Sequence, residues 1–145
     1  ILSKTNKIKQ NLILTPHLKE FSRLTGIDID TISKDPITIA KTYAKEHKII
    51  LLLKGPSTII TDGNTVYLIN TGCSGMATAG SGDVLSGILI GLLGYKTPDI
   101  KTVAFAAYIN GLAGELAEKQ KSSVSMLARD TASCLAKAIK PYIQK

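Results

Sequence analysis

The run Lys48-Ile-Ile-Leu-Leu-Leu-Lys54 constrains the fold of this chain more than any other stretch. Five consecutive apolar residues between two lysines cannot alternate inward and outward, so they predict a short strand buried on both faces. Such a strand needs layers above and below it, which points to a sheet covered by helices rather than an open antiparallel sheet.

The neighbouring segments supply those parts. Leu12 to Leu14 is an apolar run that passes directly into TPHLKEF, where Thr15 is placed to cap a helix and Pro16 to occupy its first position. Gly26 ends that helix. Asp35-Pro36 opens a second one through Ile39, Ala40, Tyr43 and Ala44. After the buried strand, STIITDGNTVYLIN reads as two β-rich runs around Asp62-Gly63, a hairpin signal. A glycine-rich segment follows, GCSGMATAGSGD, and a helix begins near residue 83. Thr97-Pro98 begins a long helix reaching about Lys119, the loop QKSS follows, and Ser125 caps the last helix. The order is that of an α/β layer protein. Two parallel strands and one hairpin are few for so many helices, so the chain is expected to be the C-terminal portion of a larger domain.

Composition narrows the function classes. The 18 basic and 11 acidic residues give a formal charge of +7, yet all but two of the basic residues are lysine. They are spread thinly, with local density at Lys4, Lys7 and Lys9 and at Lys137, Lys140 and Lys145, and there is no tryptophan. Nucleic-acid binders concentrate arginine and lysine and interleave aromatics, so no nucleic-acid partner is expected. Cys73 and Cys134 match no metal or redox spacing. ILSKTNKIKQ lacks the apolar core of a signal peptide, and GILIGLLG is too short to span a bilayer. The expectation is a cytoplasmic protein with no membrane partner.

Three segments carry candidate chemistry. In ATAGSGD, Gly80, Ser81 and Gly82 let backbone N–H groups converge on an anion at a helix N-terminus. Asp83 then stands where it can accept a hydroxyl proton beside that anion. The competing reading, a helix cap with glycines for tight packing, has equal weight on local chemistry alone. In LKGPST, Lys54 and Gly55 lie at a strand end, where a lysine can neutralise a phosphate; an ordinary turn with an edge lysine is the slightly favoured alternative. In TPHLKE, His17 is placed to hydrogen-bond a substrate, although a lone histidine there is more often structural. Glu20 reads as a helix-surface acid, Tyr108 and Asn110 as core or supporting groups, and Cys73 and Met76 as packing. No cluster reads as a metal site.

Taken together, TPH with Glu20-Phe21, LKGPSTIITDGNTVYLINTG, GMATAGSGDVLSGILIGLL, AAYINGLAGELA and SMLARD resemble the NAD(P)H-hydrate dehydratase family of the ribokinase-like superfamily. The resemblance runs almost end to end and is strongest from Leu53 to Ala117. It implies a ribokinase-like three-layer α/β/α sandwich, of which residues 1–145 form the C-terminal part. It also implies nucleotide-dependent dehydration of hydrated NADH or NADPH, with ADP or ATP as co-substrate and magnesium as companion. Carried over by motif, His17 and Asp83 contact the hydrated dinucleotide, and Lys54, Gly55, Pro56, Ser57, Thr58 and Gly82 contact the adenine nucleotide. The chain departs from the family pattern at Leu18-Lys19, Pro56-Ser57, Cys73-Ser74 and Ala79. Pro56 removes one N–H donor and weakens the carry-over at 55 to 57. The resemblance further implies a homo-oligomer and reliance on an N-terminal half carrying the earlier strands and substrate loops. A vitamin-precursor kinase of the same superfamily is the alternative enzyme, and a non-catalytic basic binding module the alternative outside enzymes.

Overall fold

The computed structural model describes residues 12–95 and 98–143. Lys4, Lys7, Lys9, Thr97 and Lys145, named above, lie outside the described residues. The chain divides into two compact units, the first reaching Ile69 and taking in Pro98–Ile100, the second starting at Asn70 and taking in the chain from Lys101.

The first unit holds a four-stranded sheet in the order β1-β2-β3-β4, formed by Ile13–Leu14, Ile50–Leu53, Thr58–Thr61 and Val66–Ile69. β1 runs parallel to β2, with Ile13 opposite Ile50 and Leu14 opposite Leu51. The other two pairings are antiparallel, with Leu52 opposite Ile60 and Ile60 opposite Tyr67. Leu51 and Leu53 join Phe21, Ile32, Ala40 and Ala44 in one core. Leu52 and Ile60, on the opposite face by alternation, are also fully buried. Both faces of β2 are therefore covered, as its unbroken apolar run demands.

Three helices accompany this sheet: α1 Leu18–Thr25, α2 Ile29–Lys34 and α3 Pro36–His47. α3 starts as expected, with the Asp35 side chain accepting from the Thr38 N–H at 3.2 Å and Pro36 in the first turn. α1 does not. Its N-cap is His17 rather than Thr15, and Pro16 stands outside the helix. The cause is tertiary: the Lys54 N–H donates to Pro16 O at 2.9 Å, and His17 forms an isolated parallel bridge with Lys54. The backbone stays extended through His17 to make those contacts, so helical dihedrals begin only at Leu18. α2, absent from the sequence reading, is capped by Asp28, whose side chain accepts from the Thr31 N–H at 3.0 Å.

The second unit is helical, with α4 Ser81–Leu93, α5 Ile100–Lys121 from Lys101 onward, and α6 Ala128–Ile139. α4 begins two residues before the expected position. Its core gathers Ile109, Ala113 and Ala117 of α5, Met126, and Cys134 and Ala138 of α6. Ser125 does not cap α6: its hydroxyl donates back to the Lys121 carbonyl and so serves the end of α5. At the start of α6 the Leu127 N–H donates to Asp130 Oδ2 at 2.8 Å. Gln120 and Lys121, read as loop, belong to α5. Among the described residues no helix is long and apolar enough to cross a membrane.

Candidate active site

Because β1 and β2 run parallel, their carboxyl ends lie side by side, the place where open α/β sheets bind ligands. The chain leaves those ends as TPH and as KGPS. The pairing of residue 17 with residue 54 sets the two exits next to each other. His17 Nδ1 accepts the Glu20 N–H at 3.1 Å, and the His17 N–H donates to Glu20 Oε2 at 2.8 Å, which closes a capping box. The same carboxylate reaches the Lys54 ammonium at 3.9 Å. Gly55, Pro56 and Ser57 are exposed beyond it, and Thr58 opens β3. A side chain at Gly55 would meet only Ser57 O, at 3.5 Å, so no internal packing demands glycine there. The structure thus brings His17, Lys54, Gly55, Pro56, Ser57 and Thr58 to one end of one sheet.

Gly80, Ser81, Gly82 and Asp83 belong to the second unit, at the N-terminus of α4. Gly80 has φ +88°, a left-handed conformation that a side chain resists, and a Cβ there would stand 3.2 Å from Ala128 Cβ. The left-handed backbone and the nearness of Ala128 therefore account for a glycine at position 80. The Ser81 N–H turns back to Thr78 O at 3.3 Å and the Asp83 N–H to Gly80 O at 3.0 Å. Among the described residues, the Gly80 and Gly82 N–H groups have no acceptor. They stand at the positive end of a 13-residue helix, where the dipole favours negative charge. Among the described residues, the buried Ser81 hydroxyl oxygen has no hydrogen-bond partner. Asp83 lies exposed in the first turn, its carboxylate favoured by the same dipole.

What holds the glycine loop was not legible beforehand. Thr71 Oγ1 donates to Tyr108 O at 3.0 Å, and the Gly72 N–H donates to Glu115 Oε1 at 2.9 Å. Cys73 Sγ lies 3.5 Å from Gly114 O. The segment can sit this close because Gly111 and Gly114 remove side chains from the facing surface of α5: a Cβ at 111 would come 2.6 Å from the Thr71 carbonyl carbon. The signal was present in NGLAGE as two glycines three residues apart on a helix, with the acid that follows them. Cys73 and Met76 pack, as expected. Burial above all, then the Glu118 carboxylate, pushes the Cys73 thiol up.

An apolar cavity of about 850 Å³ opens between α4, α5 and α6, lined by residues such as Val84, Leu92, Phe105 and Leu135. None of Gly80, Ser81, Gly82 and Asp83 lines it. Among the described residues, no three His, Cys, Asp or Glu side chains converge as metal ligands.

The sequence profile of the NAD(P)H-hydrate dehydratase family matches residues 1–137. The chain belongs to that family. It is 39% identical over 133 residues to the ADP-dependent (S)-NAD(P)H-hydrate dehydratase of Cenarchaeum symbiosum, covering 92% of this chain and 46% of that one. The structure of the ADP/ATP-dependent NAD(P)H-hydrate dehydratase of Bacillus subtilis, co-crystallized with ATP/Mg2+, superposes with a TM-score of 0.89 at 31% identity. That superposition covers 98% of this chain and 52% of that chain. A ribokinase-like superfamily protein of Enterococcus faecalis matches with a TM-score of 0.80 at 28% identity, covering 92% of this chain and 45% of its own. The fold is ribokinase-like. The chain spans about half the length of these dehydratases, and a smaller share of the bifunctional NAD(P)H-hydrate repair enzyme of Moorella thermoacetica.

Proposed function

We propose that this chain acts in the nucleotide-dependent dehydration of hydrated NADH or NADPH, with ADP or ATP as phosphoryl donor. The observation that carries the reading is the α4 N-terminus, where two N–H groups without an acceptor among the described residues stand beside an exposed aspartate. That arrangement suits stabilising a transferred phosphoryl group while a proton is taken from the attacking hydroxyl. In this reading the hydroxyl oxygen of the hydrate attacks the terminal phosphorus and its proton passes to Asp83. The bond from that phosphorus to the nucleotide's bridging oxygen breaks. Phosphate then leaves the ring with the C–O electron pair, an adjacent ring carbon loses a proton, and the ring double bond returns.

His17 contributes a hydrogen bond to the hydrated dinucleotide, and Lys54 with Gly55, Ser57 and Thr58 receives the nucleotide. Pro56 contributes shape only, since it has no N–H. Gly80, Ser81 and Gly82 hold the phosphoryl group. Magnesium fits this donor set. It commonly keeps several waters and binds mainly through substrate phosphates, so the nucleotide's phosphates would hold it and the Asp83 carboxylate would remain the base. When bound, magnesium neutralises phosphate charge. The same reading places the protein in the cytoplasm, supported by its two free thiols, and makes it a homo-oligomer, as the family resemblance implies.

The test is to incubate the full-length protein with ADP or ATP and hydrated NADH. Recovery of absorbance at the NADH band supports dehydration. A stable phosphorylated hydroxymethylpyrimidine or hydroxyethylthiazole, formed without that recovery, would support the kinase alternative instead. Asp83→Asn is expected to lower turnover by about 10²–10⁴-fold while nucleotide binding survives; turnover near the unsubstituted rate removes Asp83 from the role of base.

A further inference from the structure

We propose that Glu20 is a positioning residue that fixes His17 as a donor through Nε2, an inference that rests on the reading of His17 as a substrate contact. The argument begins with the ring. His17 Nδ1 accepts the Glu20 N–H at 3.1 Å, and a nitrogen that accepts carries no proton. The neutral imidazole therefore bears its proton on Nε2.

The Glu20 carboxylate secures that arrangement from the other side. Its Oε2 takes the His17 N–H at 2.8 Å, which holds the Cα–Cβ axis of the histidine against the first turn of α1. Its Oε1 stands 3.4 Å from Nε2, beyond the 2.7–3.2 Å range of an N–H···O bond. The Nε2 proton is therefore not spent on that carboxylate, whose other oxygen lies 3.9 Å from the Lys54 ammonium. The histidine and glutamate side chains are 50% and 51% exposed, so the ion pairs themselves add little stability. One acid touching a backbone donor, an imidazole and an ammonium at a sheet's carboxyl end is a device for orientation. The group it serves is an acceptor oxygen of the hydrated dinucleotide.

The experiment uses the full-length protein in four forms: unsubstituted, Glu20→Gln, His17→Asn, and the double variant. Glutamine keeps an oxygen for the His17 N–H but loses the charge. Asparagine keeps the N-cap acceptor but loses Nε2. Glu20→Gln is expected to raise the KM for hydrated NADH about tenfold with kcat little changed. In the His17→Asn background the same change should alter KM by less than about twofold, because Glu20 acts through the ring. Equal effects in both backgrounds, or none in either, overturn the proposal.

Imidazole 15N shifts provide the arm that does not depend on activity. The unsubstituted chain should show His17 with its proton on Nε2; Glu20→Ala, which retains the backbone N–H that Nδ1 accepts, should keep that tautomer while the Nε2 shift moves with loss of the neighbouring carboxylate. A proton on Nδ1, or an unchanged Glu20→Ala spectrum, refutes the positioning role. Absence of dehydration with the expected spectra refutes the proposed function instead.

Discussion

Gly111→Ala offers a test in which packing and helix propensity oppose each other. Alanine in a helix interior is favoured over glycine by about 1 kcal/mol, so α5 as an isolated helix would gain from the change. The new methyl, however, would lie 2.6 Å from both the carbonyl carbon and Cβ of Thr71. Forcing an extra carbon into a filled contact costs about 1–3 kcal/mol when the neighbour must move. Here the neighbour is backbone, and its displacement also strains two bonds: Thr71 Oγ1 to Tyr108 O, and the Gly72 N–H to the Glu115 carboxylate. Those are worth about 1 kcal/mol and about 1.5–3 kcal/mol respectively. The net expectation is destabilisation by about 1–4 kcal/mol, after the propensity gain is subtracted.

The control is Gly87→Ala on α4, where nothing lies within 4 Å of the added Cβ. That change should stabilise by about 0.5–1 kcal/mol. Urea unfolding of the full chain, followed by circular dichroism, measures both. Opposite signs are predicted. If Gly111→Ala is as stable as Gly87→Ala, the glycine loop is not seated on α5 as described. Because the loop leads directly into ATAGSGD, Gly111→Ala should also lower turnover.

Two further expectations concern titration. Burial and Glu118 raise the Cys73 thiol above its ordinary range, so less thiolate is present at neutral pH. Alkylation of Cys73 should be slower than that of a free cysteine at pH 7 and accelerate as pH rises; a rate equal to the free thiol's refutes the burial. Asp28 accepts hydrogen bonds from Thr31, and these lower its carboxyl below the usual range. Its contribution to stability is therefore present above the unfolded aspartate pKa and is lost as pH falls through the lower folded value. Carboxyl-detected NMR titration should find that lowered midpoint, and a normal or raised one refutes the α2 cap.

Much of the fold was legible because its causes are local. The double-sided burial of β2 follows from five apolar residues in a row. The hairpin follows from Asp62-Gly63: Gly63 has φ +90°, and Asp62 Oδ1 accepts from the Asn64 and Thr65 N–H groups at 2.8 and 2.7 Å. α3 starts at Pro36 because Asp35-Pro36 needs nothing beyond its own turn. The α4 N-terminus was legible for the same reason, and so was the place of Asp83 in its first turn. α2 was missed although Asp28 and Thr31 carried its signal, because six residues give too few turns for an apolar period to show.

The remainder depended on partners distant in sequence. TPHLKE contains a good local start at Thr15-Pro16, yet pairing with Lys54 keeps that backbone extended and makes His17 the cap. The same pairing places the histidine next to the lysine and gives Glu20 its three contacts. Ser125 had the right residue type for a cap, but Ser122 turns left-handed at φ +75° and the serine serves the helix behind it. The role of Gly80 was ambiguous until Ala128, 48 positions later, appeared 3.2 Å from where its side chain would be. Sequence alone determined which backbone segments turn, extend or coil, because those preferences are set within a few residues. Only tertiary structure decided which side chains share an end of the sheet and which glycines exist for another segment's sake, because those depend on chain segments meeting in space.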